Sequence, residues 1–423
     1  MSVAQEDMQF VPEMVADAQL YGQEKKLRAF HSWLQTNHPV VRVHPDGYRP
    51  FWVVSKFDDI RAIEAAPEKF LAAPRNVLIP IDVEQANLRV LGTPNGVTSL
   101  PQLDGEKHRA LRALTQNWFM PKNLKTMQAR IADLAREFVD RMVAMGGTCD
   151  FGEDIAFWYP LRVATTILGL PPEDEPQLLK MTQQLFAMQD PEVALSAEPE
   201  AVAQVISSFA AYFEAVTADR RANPREDVST LIAHATLDGQ ELSPLDRISY
   251  YILVATAGHD TTSSSIAGGM QALAEFPDQW ARLKANPDLC AALPNEAIRY
   301  TAPVKHFMRT TTEDVEIRGH KITAGENIFL SYDAACRDAE VFEDPHAFVI
   351  DRPNSNRHLA FGYGPHICLG QFLARMEIEL FFRELVRRVD HVELAGPVRH
   401  MESSFVSGVK HLPIRYTVAR AAV

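Results

Sequence analysis

The sequence predicts a mainly α protein with small β-sheets, an α+β arrangement in which the two ends of the chain meet. Three observations carry this. Apolar spacing is helical almost throughout from Glu106 to about Pro287. Strand-like runs are confined to the early and late parts of the chain. One helix has a start signal at Ser243-Pro244 and no stop until Pro277, so it spans 33 residues from Pro244 to Phe276. That is roughly 50 Å, a length that few soluble folds accommodate except through their centre.

In chain order, the first 25 residues or so read as an irregular arm. Val40–Val43 and Phe51–Val54 flank Pro45-Asp46-Gly47 and form a hairpin. The stretch from Ala73 to Gly105 mixes Pro, Asn and Gly with scattered aliphatics. It reads as a long loop, a kind that is often functional. The helical region is broken at Pro171-Pro172, Asp190-Pro191 and Asn223-Pro224. Strands return at Val315–Ile317, Lys321-Ile322, Asn327–Ser331 and near Pro413–Val418. Early and late strands are expected to share one sheet. Repeats, low-complexity tracts and a linker are absent from the sequence, so residues 1–423 read as one domain.

Composition narrows the function. Of 423 residues, 46% are hydrophobic and 23% charged, the balance of a globular chain. The net charge of −13 argues against a sequence-independent nucleic-acid binder, whose affinity comes from neutralised phosphates. The longest apolar run, Tyr250–Ala257, is far short of the ~20 residues of a membrane span. The start lacks the order of a secretory signal. Four scattered cysteines, Cys149, Cys290, Cys336 and Cys368, suit a reducing compartment rather than a disulfide framework. The expectation is a monomeric cytoplasmic protein without membrane or nucleic-acid partners.

Two segments break local rules. The long helix contains Ala257-Gly258-His259-Asp260-Thr261-Thr262-Ser263-Ser264-Ser265, rich in poor helix formers. Either its hydroxyls bond back to the preceding turn, or the helix opens beside a ligand. The second segment, Phe361-Gly362-Tyr363-Gly364-Pro365-His366-Ile367-Cys368-Leu369-Gly370, is a Gly/Pro loop that delivers one cysteine to a helix start. Unpaired amides and the helix dipole there are expected to favour the thiolate. A structural cysteine needs no such loop. A zinc site needs about four ligands, and only His366 is near. A nucleophilic thiol would be crowded by Phe361 and Tyr363. A single axial thiolate on haem iron, in an apolar shell, fits best. The dinucleotide fingerprint fails, because Ile367 stands where its third glycine belongs.

Phe361, Gly364, Cys368 and Gly370 match Phe-x-x-Gly-x-x-x-Cys-x-Gly, so this segment resembles the haem-binding loop of the cytochromes P450. Ala257-Gly258-x-Asp260-Thr261 resembles the family's oxygen-activating motif. Glu296-x-x-Arg299 and Phe348–Arg352 resemble its structural Glu–Arg–Arg triad. The resemblance spans nearly the whole chain. It extends to the bacterial α-terpineol hydroxylase type in Asn117-Trp118-Phe119, Thr301–Lys305, Phe307–Thr310 and Asn356–Leu359. One departure is Leu103-Asp104-Gly105-Glu106-Lys107, where many soluble members have Asp-Pro-Pro.

The resemblance implies a P450 fold, with the long helix over haem and the cysteine loop on the other side. It implies haem b with Cys368 as the axial metal ligand, and further cofactor contacts from Ala257, Phe361, Gly362 and Gly370. His108, Arg112, Arg309 and His366 would meet the propionates. Asp260 and Thr261 would be catalytic, passing protons to dioxygen. Substrate contacts by position are Val77, Leu78, Ile79, Leu253, Ala257, Val304, Phe405 and Val406, with Phe186 and Met188 as a lid. This nearly uncharged set suits a small apolar molecule such as a monoterpene, alkylbenzene or aromatic hydrocarbon. Electrons from NAD(P)H would arrive through a ferredoxin and its reductase, docking near Lys107, Arg109 and Arg375. The alternatives are a haem-thiolate peroxygenase using hydrogen peroxide, or a non-enzymatic haem sensor or ligand carrier.

Overall fold

The computed structural model describes residues 9–95, 98–186, 190–192 and 199–419. Its axis is the long helix, Pro244–Glu275. Ser243 caps it, its hydroxyl accepting from the Asp246 amide at 3.1 Å, and Pro244 occupies the first turn, where its missing N–H costs nothing. The helix is buried over most of its second half. Small residues there allow close crossings. A Cβ on Gly268 would lie 2.3 Å from Thr301 Oγ1, and one on Gly408 would lie 2.2 Å from Ser264 Oγ. The largest apolar cluster gathers around this helix, drawing on Pro121–Ala144, Trp158–Leu168 and the late helix Gln371–Arg388.

The helix is not opened at Gly258–Ser265. It runs as α-helix without interruption, and the hydroxyls of Thr256, Thr261 and Ser265 donate to the carbonyls of Ile252, Ala257 and Thr261. Back-bonding is thus the local answer to its hydroxyl-rich composition.

The early and late strands do share a sheet. Its five strands lie in the order Val40–Val43, Phe51–Val54, Asn327–Ser331, His306–Thr311, Phe70–Leu71. The hairpin is antiparallel, Phe51–Val54 runs parallel to Asn327–Ser331, and Ile328 sits opposite Arg309. Strand His306–Thr311, rich in polar side chains, carries little sequence signal, and neither do Val389–Leu394, Thr148–Asp150 and the two-residue strands. Two further expectations are corrected. The arm is ordered from Pro12 in short helical turns and then helix Glu24–Asn37, because Val15, Leu20 and Tyr21 are buried. The supposed loop contains helix Ile81–Leu91, entered at Pro80 and closed by Gly92 at φ +72°. Glu84 in its first turn pairs with Arg49 and Arg75.

The fully buried Glu296–Arg299–Arg352 triad ties the late segments together. Arg299 makes two 2.8 Å bonds to Glu296, and Arg352 Nε meets both carboxylate oxygens at 3.1 and 3.2 Å. Their remaining donors take carbonyls of Cys336, Glu343, Asp344, Pro345 and Ala347. Removing Glu296 leaves two buried guanidiniums without a counter-charge. Glu296→Ala is therefore expected to cost about 3–5 kcal/mol, read as a lower urea midpoint, whereas exchanging an exposed arginine such as Arg136 should leave it nearly unchanged.

Candidate functional site

Between the central helix and the cysteine loop lies a large cavity, lined from both. The loop's form comes from its glycines. Gly362 and Gly364 both adopt φ +68°, and a Cβ on Gly364 would sit 2.3 Å from the Glu64 carbonyl. The Cys368 amide donates back to Phe361 O at 2.8 Å, closing the turn. Cys368 then stands ahead of helix Gln371–Arg388 and contributes to the cavity wall. Burial pushes its thiol up, opposed by the Gly370 amide, Arg112, Arg375 and the Gln371 amide. The Gly370 and Gln371 amides at the helix start act in the expected direction, towards thiolate, against the cost of burial. The other cysteines lie outside the cavity; Cys290 and Cys336 are fully buried, and burial pushes their thiols to about 11 and that of Cys149 to about 12.

His108, Arg112, Arg309 and His366 all reach this cavity. The rings of His108 and His366 lie 4.3 Å apart, and His366 Nε2 is 3.4 Å from Asp104 Oδ1. Burial, His366 and Arg112 push His108 down to about 4. Burial would raise Asp104, but His366 and the Ala73 and Ala72 amides outweigh it and hold it low. Those two amide bonds, at 2.8 and 3.0 Å, are what Asp104 does at the departure from Asp-Pro-Pro. Arg112 has no carboxylate within ion-pair distance among the described residues, and burial lowers it against the pull of Cys368 and Tyr250. Arg309 is buried and bonded to Glu64 at 2.9 Å.

Ala257, Thr261, Leu253, Val304, Phe361, Gly362 and Gly370 also line the cavity. Asp260 does not. Its carboxylate lies 3.0 Å from Nδ1 of buried His259. Val77, Leu78, Ile79, Phe405 and Val406 are not among the residues that line it. Leu78 is buried against the sheet, and its amide donates to His306 Nε2 at 2.9 Å. His306 Nδ1 meets Ser404 O at 2.7 Å, so this nitrogen carries the proton. Phe405 packs on Phe307, which does line the cavity, and Val406 pairs with Val304. Met188 and the side chain of Phe186 lie outside the described residues. Phe307, Tyr332 and Glu377 are lining residues that the sequence reading missed. Alternation along strand His306–Thr311 would have put Phe307 on the face of Arg309, had that strand been seen.

The expected docking patch is altered. Arg375 is half-buried, with Nε 2.8 Å from Asn295 Oδ1 and its guanidinium 4.6 Å from the Phe361 ring centre. It braces the cysteine loop. Lys107 is 3.0 Å from Asp246, and Arg109 is 3.9 Å from Glu106.

A cavity with one sulfur near backbone amides, with His108, Arg112, Arg309 and His366 in its wall and a mostly apolar lining elsewhere, fits haem with its two carboxylates. The comparisons decide the family. The chain is 40% identical to "Cytochrome P450-terp" of a Pseudomonas species, over 97% of this chain and 99% of that protein. The chain belongs to the cytochrome P450 family. The family model "Cytochrome P450" matches residues 288–417. A steroid C26-monooxygenase of Mycolicibacterium smegmatis is 32% identical over 89% of this chain and 86% of its own. The crystal structure of CYP108D1 from Novosphingobium aromaticivorans superposes with TM-score 0.90 at 44% identity, covering 96% of this chain and 97% of that one. This P450 is accordingly a haem-dependent monooxygenase, with the haem b and cysteine thiolate ligand of its family. Among the described residues, no helix is long and apolar enough to cross a membrane.

Buried histidines behind the cavity set a pH limit. Burial pushes His306 and His31 down to about 4, the first despite its bond to the Ser404 carbonyl and the second despite nearby Asp333. Both are neutral in the fold and bind protons in the unfolded chain below about 6.5. Their contribution is complete above that pH and is lost as pH falls towards 4. The urea midpoint of this P450 should fall between pH 7 and pH 4.5, and less steeply in His306→Gln.

Proposed function

We propose that this P450 hydroxylates a small apolar molecule of the monoterpene, alkylbenzene or aromatic-hydrocarbon type in the cytoplasm, using O2 and electrons from NAD(P)H delivered by a ferredoxin. The observation that carries the reading is a single cavity bounded by Cys368 and by Ala257, Gly258 and Thr261 of the central helix. Support for the substrate class comes from Leu253, Val304 and Phe307 in its wall, none of which offers a charge to fix a polar ligand. The steroid-hydroxylating relatives show that the family also takes larger molecules, and the higher identity to the terpene-named relative favours a small one.

Cys368 is the residue that would hold the iron, with the Gly370 and Gln371 amides and Arg112 stabilising charge on its sulfur. His108, Arg112, Arg309 and His366 would hold the propionates as charged and hydrogen-bonded partners. Haem, when bound, supplies the oxidising centre for O2. The chain's own task is to exclude water, hold the hydrocarbon and manage protons.

Thr261 is placed for the last. Its hydroxyl proton is committed to the Ala257 carbonyl at 2.8 Å, which leaves the oxygen lone pairs turned to accept a hydrogen bond in the cavity. A water held there would relay protons. Asp260, outside the cavity beside His259, would act as the supply from outside by way of water rather than by direct contact. A peroxygenase needs no such relay. Lys107 and Arg109 would draw an acidic ferredoxin, although each is already near an acid of its own chain, so the steering should be modest.

Two experiments test this reading. Reduced protein under carbon monoxide should show the red-shifted Soret band of thiolate ligation. Cys368→Ser should abolish it, and Cys149→Ser, Cys290→Ser and Cys336→Ser should retain it. Thr261→Ala should bind haem and substrate normally yet release most reducing equivalents as hydrogen peroxide; full coupling of NAD(P)H to product in that variant overturns the relay.

A further inference from the structure

We propose that Glu64 competes with a haem propionate for Arg309, so that cofactor binding is coupled to uptake of a proton by Glu64. The inference rests on Arg309 being a propionate partner. Arg309, 3% exposed, projects from strand His306–Thr311 to the cavity wall. Two of its five N–H donors are in use: Nη2 bonds Glu64 Oε1 at 2.9 Å and Nη1 bonds the Met308 carbonyl at 2.9 Å. Glu64 closes helix Phe57–Glu64, and its side chain is 1% exposed. The Tyr332 hydroxyl donates to the same Oε1. The other oxygen, Oε2, is buried without a hydrogen-bond partner.

The groups facing Glu64 are few. Arg309 comes from the strand, Tyr332 from the short helix Tyr332–Ala335, and the Tyr363 amide from the cysteine loop. Arg61, on Glu64's own helix, turns instead to the Tyr363 hydroxyl at 3.4 Å. One cation therefore faces one buried carboxylate. A propionate arriving from the cavity places a second negative charge on the same guanidinium in a poorly solvated setting. Like charges so confined do not both remain ionised.

The backbone of Glu64 is held against the cysteine loop, its carbonyl so near Gly364 that a Cβ there would lie 2.3 Å away, and its side chain is buried against Arg309 and Tyr332. The remaining relief is protonation. Burial already pushes Glu64 up, with Arg309 and Tyr332 opposing. The orphan Oε2 can carry the proton without breaking either existing bond. Glu64 is thus a positioning residue that fixes Arg309 and tunes haem retention.

The test is transfer of haem from the holoprotein to excess apomyoglobin, followed in the Soret region at neutral pH. Glu64→Gln keeps an oxygen acceptor for Arg309 and Tyr332 but removes the competing charge. It should lose haem about 3- to 10-fold more slowly than wild type, the equivalent of half to one pKa unit. Tyr332→Phe keeps the carboxylate but deletes the donor that holds it ionised, and should shift the rate the same way by less. The difference between wild type and Glu64→Gln should shrink as pH falls. Loss from Glu64→Gln at the wild-type rate or faster overturns the competition. Arg309→Gln separates the underlying reading, because it should lose haem faster than wild type. A wild-type rate there removes Arg309 as a propionate partner, whatever Glu64 does.

Discussion

The fully buried carboxylate of Glu296 is the constraint on which the late half of the molecule depends. Two guanidiniums converge on it, and through them five carbonyls between Cys336 and Ala347 find donors. Glu296 also accepts from the Val349 amide at 3.0 Å. This irregular segment could not otherwise be buried, since its backbone groups lack a ladder or helix to pair them. Because the segment leads directly into the cysteine loop, the triad sets where that loop begins, though none of its members reaches the cavity. An ion pair of this kind contributes little net stability compared with an apolar isostere; what it supplies is a fixed path for chain that carries no regular structure.

The central helix answers two demands at once. Its length and capping make it a spine, while its small residues let neighbours approach to contact distance at Gly268 and near Ser264. The same smallness at Ala257 and Gly258 leaves room on the cavity face. What looked like weak helix composition is therefore a packing requirement on one side and an open surface on the other. Back-bonded hydroxyls let the helix pass the cavity unbroken.

Much of this was legible in the sequence, and the failures have physical causes. The spine, the hairpin, the shared sheet and the cysteine loop were visible because each rests on local signals: a cap with proline, alternating aliphatics, paired glycines. Strand His306–Thr311 was not, because its outward polar residues find partners only in the assembled sheet. Helix Ile81–Leu91 was hidden by the Pro and Gly that bound it. Within the site, Cys368, Thr261 and the four propionate candidates meet at one cavity. Asp260, Val77–Ile79, Phe405 and Val406 are not part of its lining. Glu64 left no trace in sequence reading, since an acid at a helix end reads as solvated until its burial is known.

The imidazole of His306 joins the Leu78 amide to the Ser404 carbonyl, and stacks on Phe329 at 4.2 Å between ring centres. Three stretches of chain, 228 and 98 residues apart in sequence, thus share one ring. Replacing that ring would therefore be felt at a distance, in the main chain at Leu78 and Ser404 and, through Phe405, at Phe307 in the cavity wall.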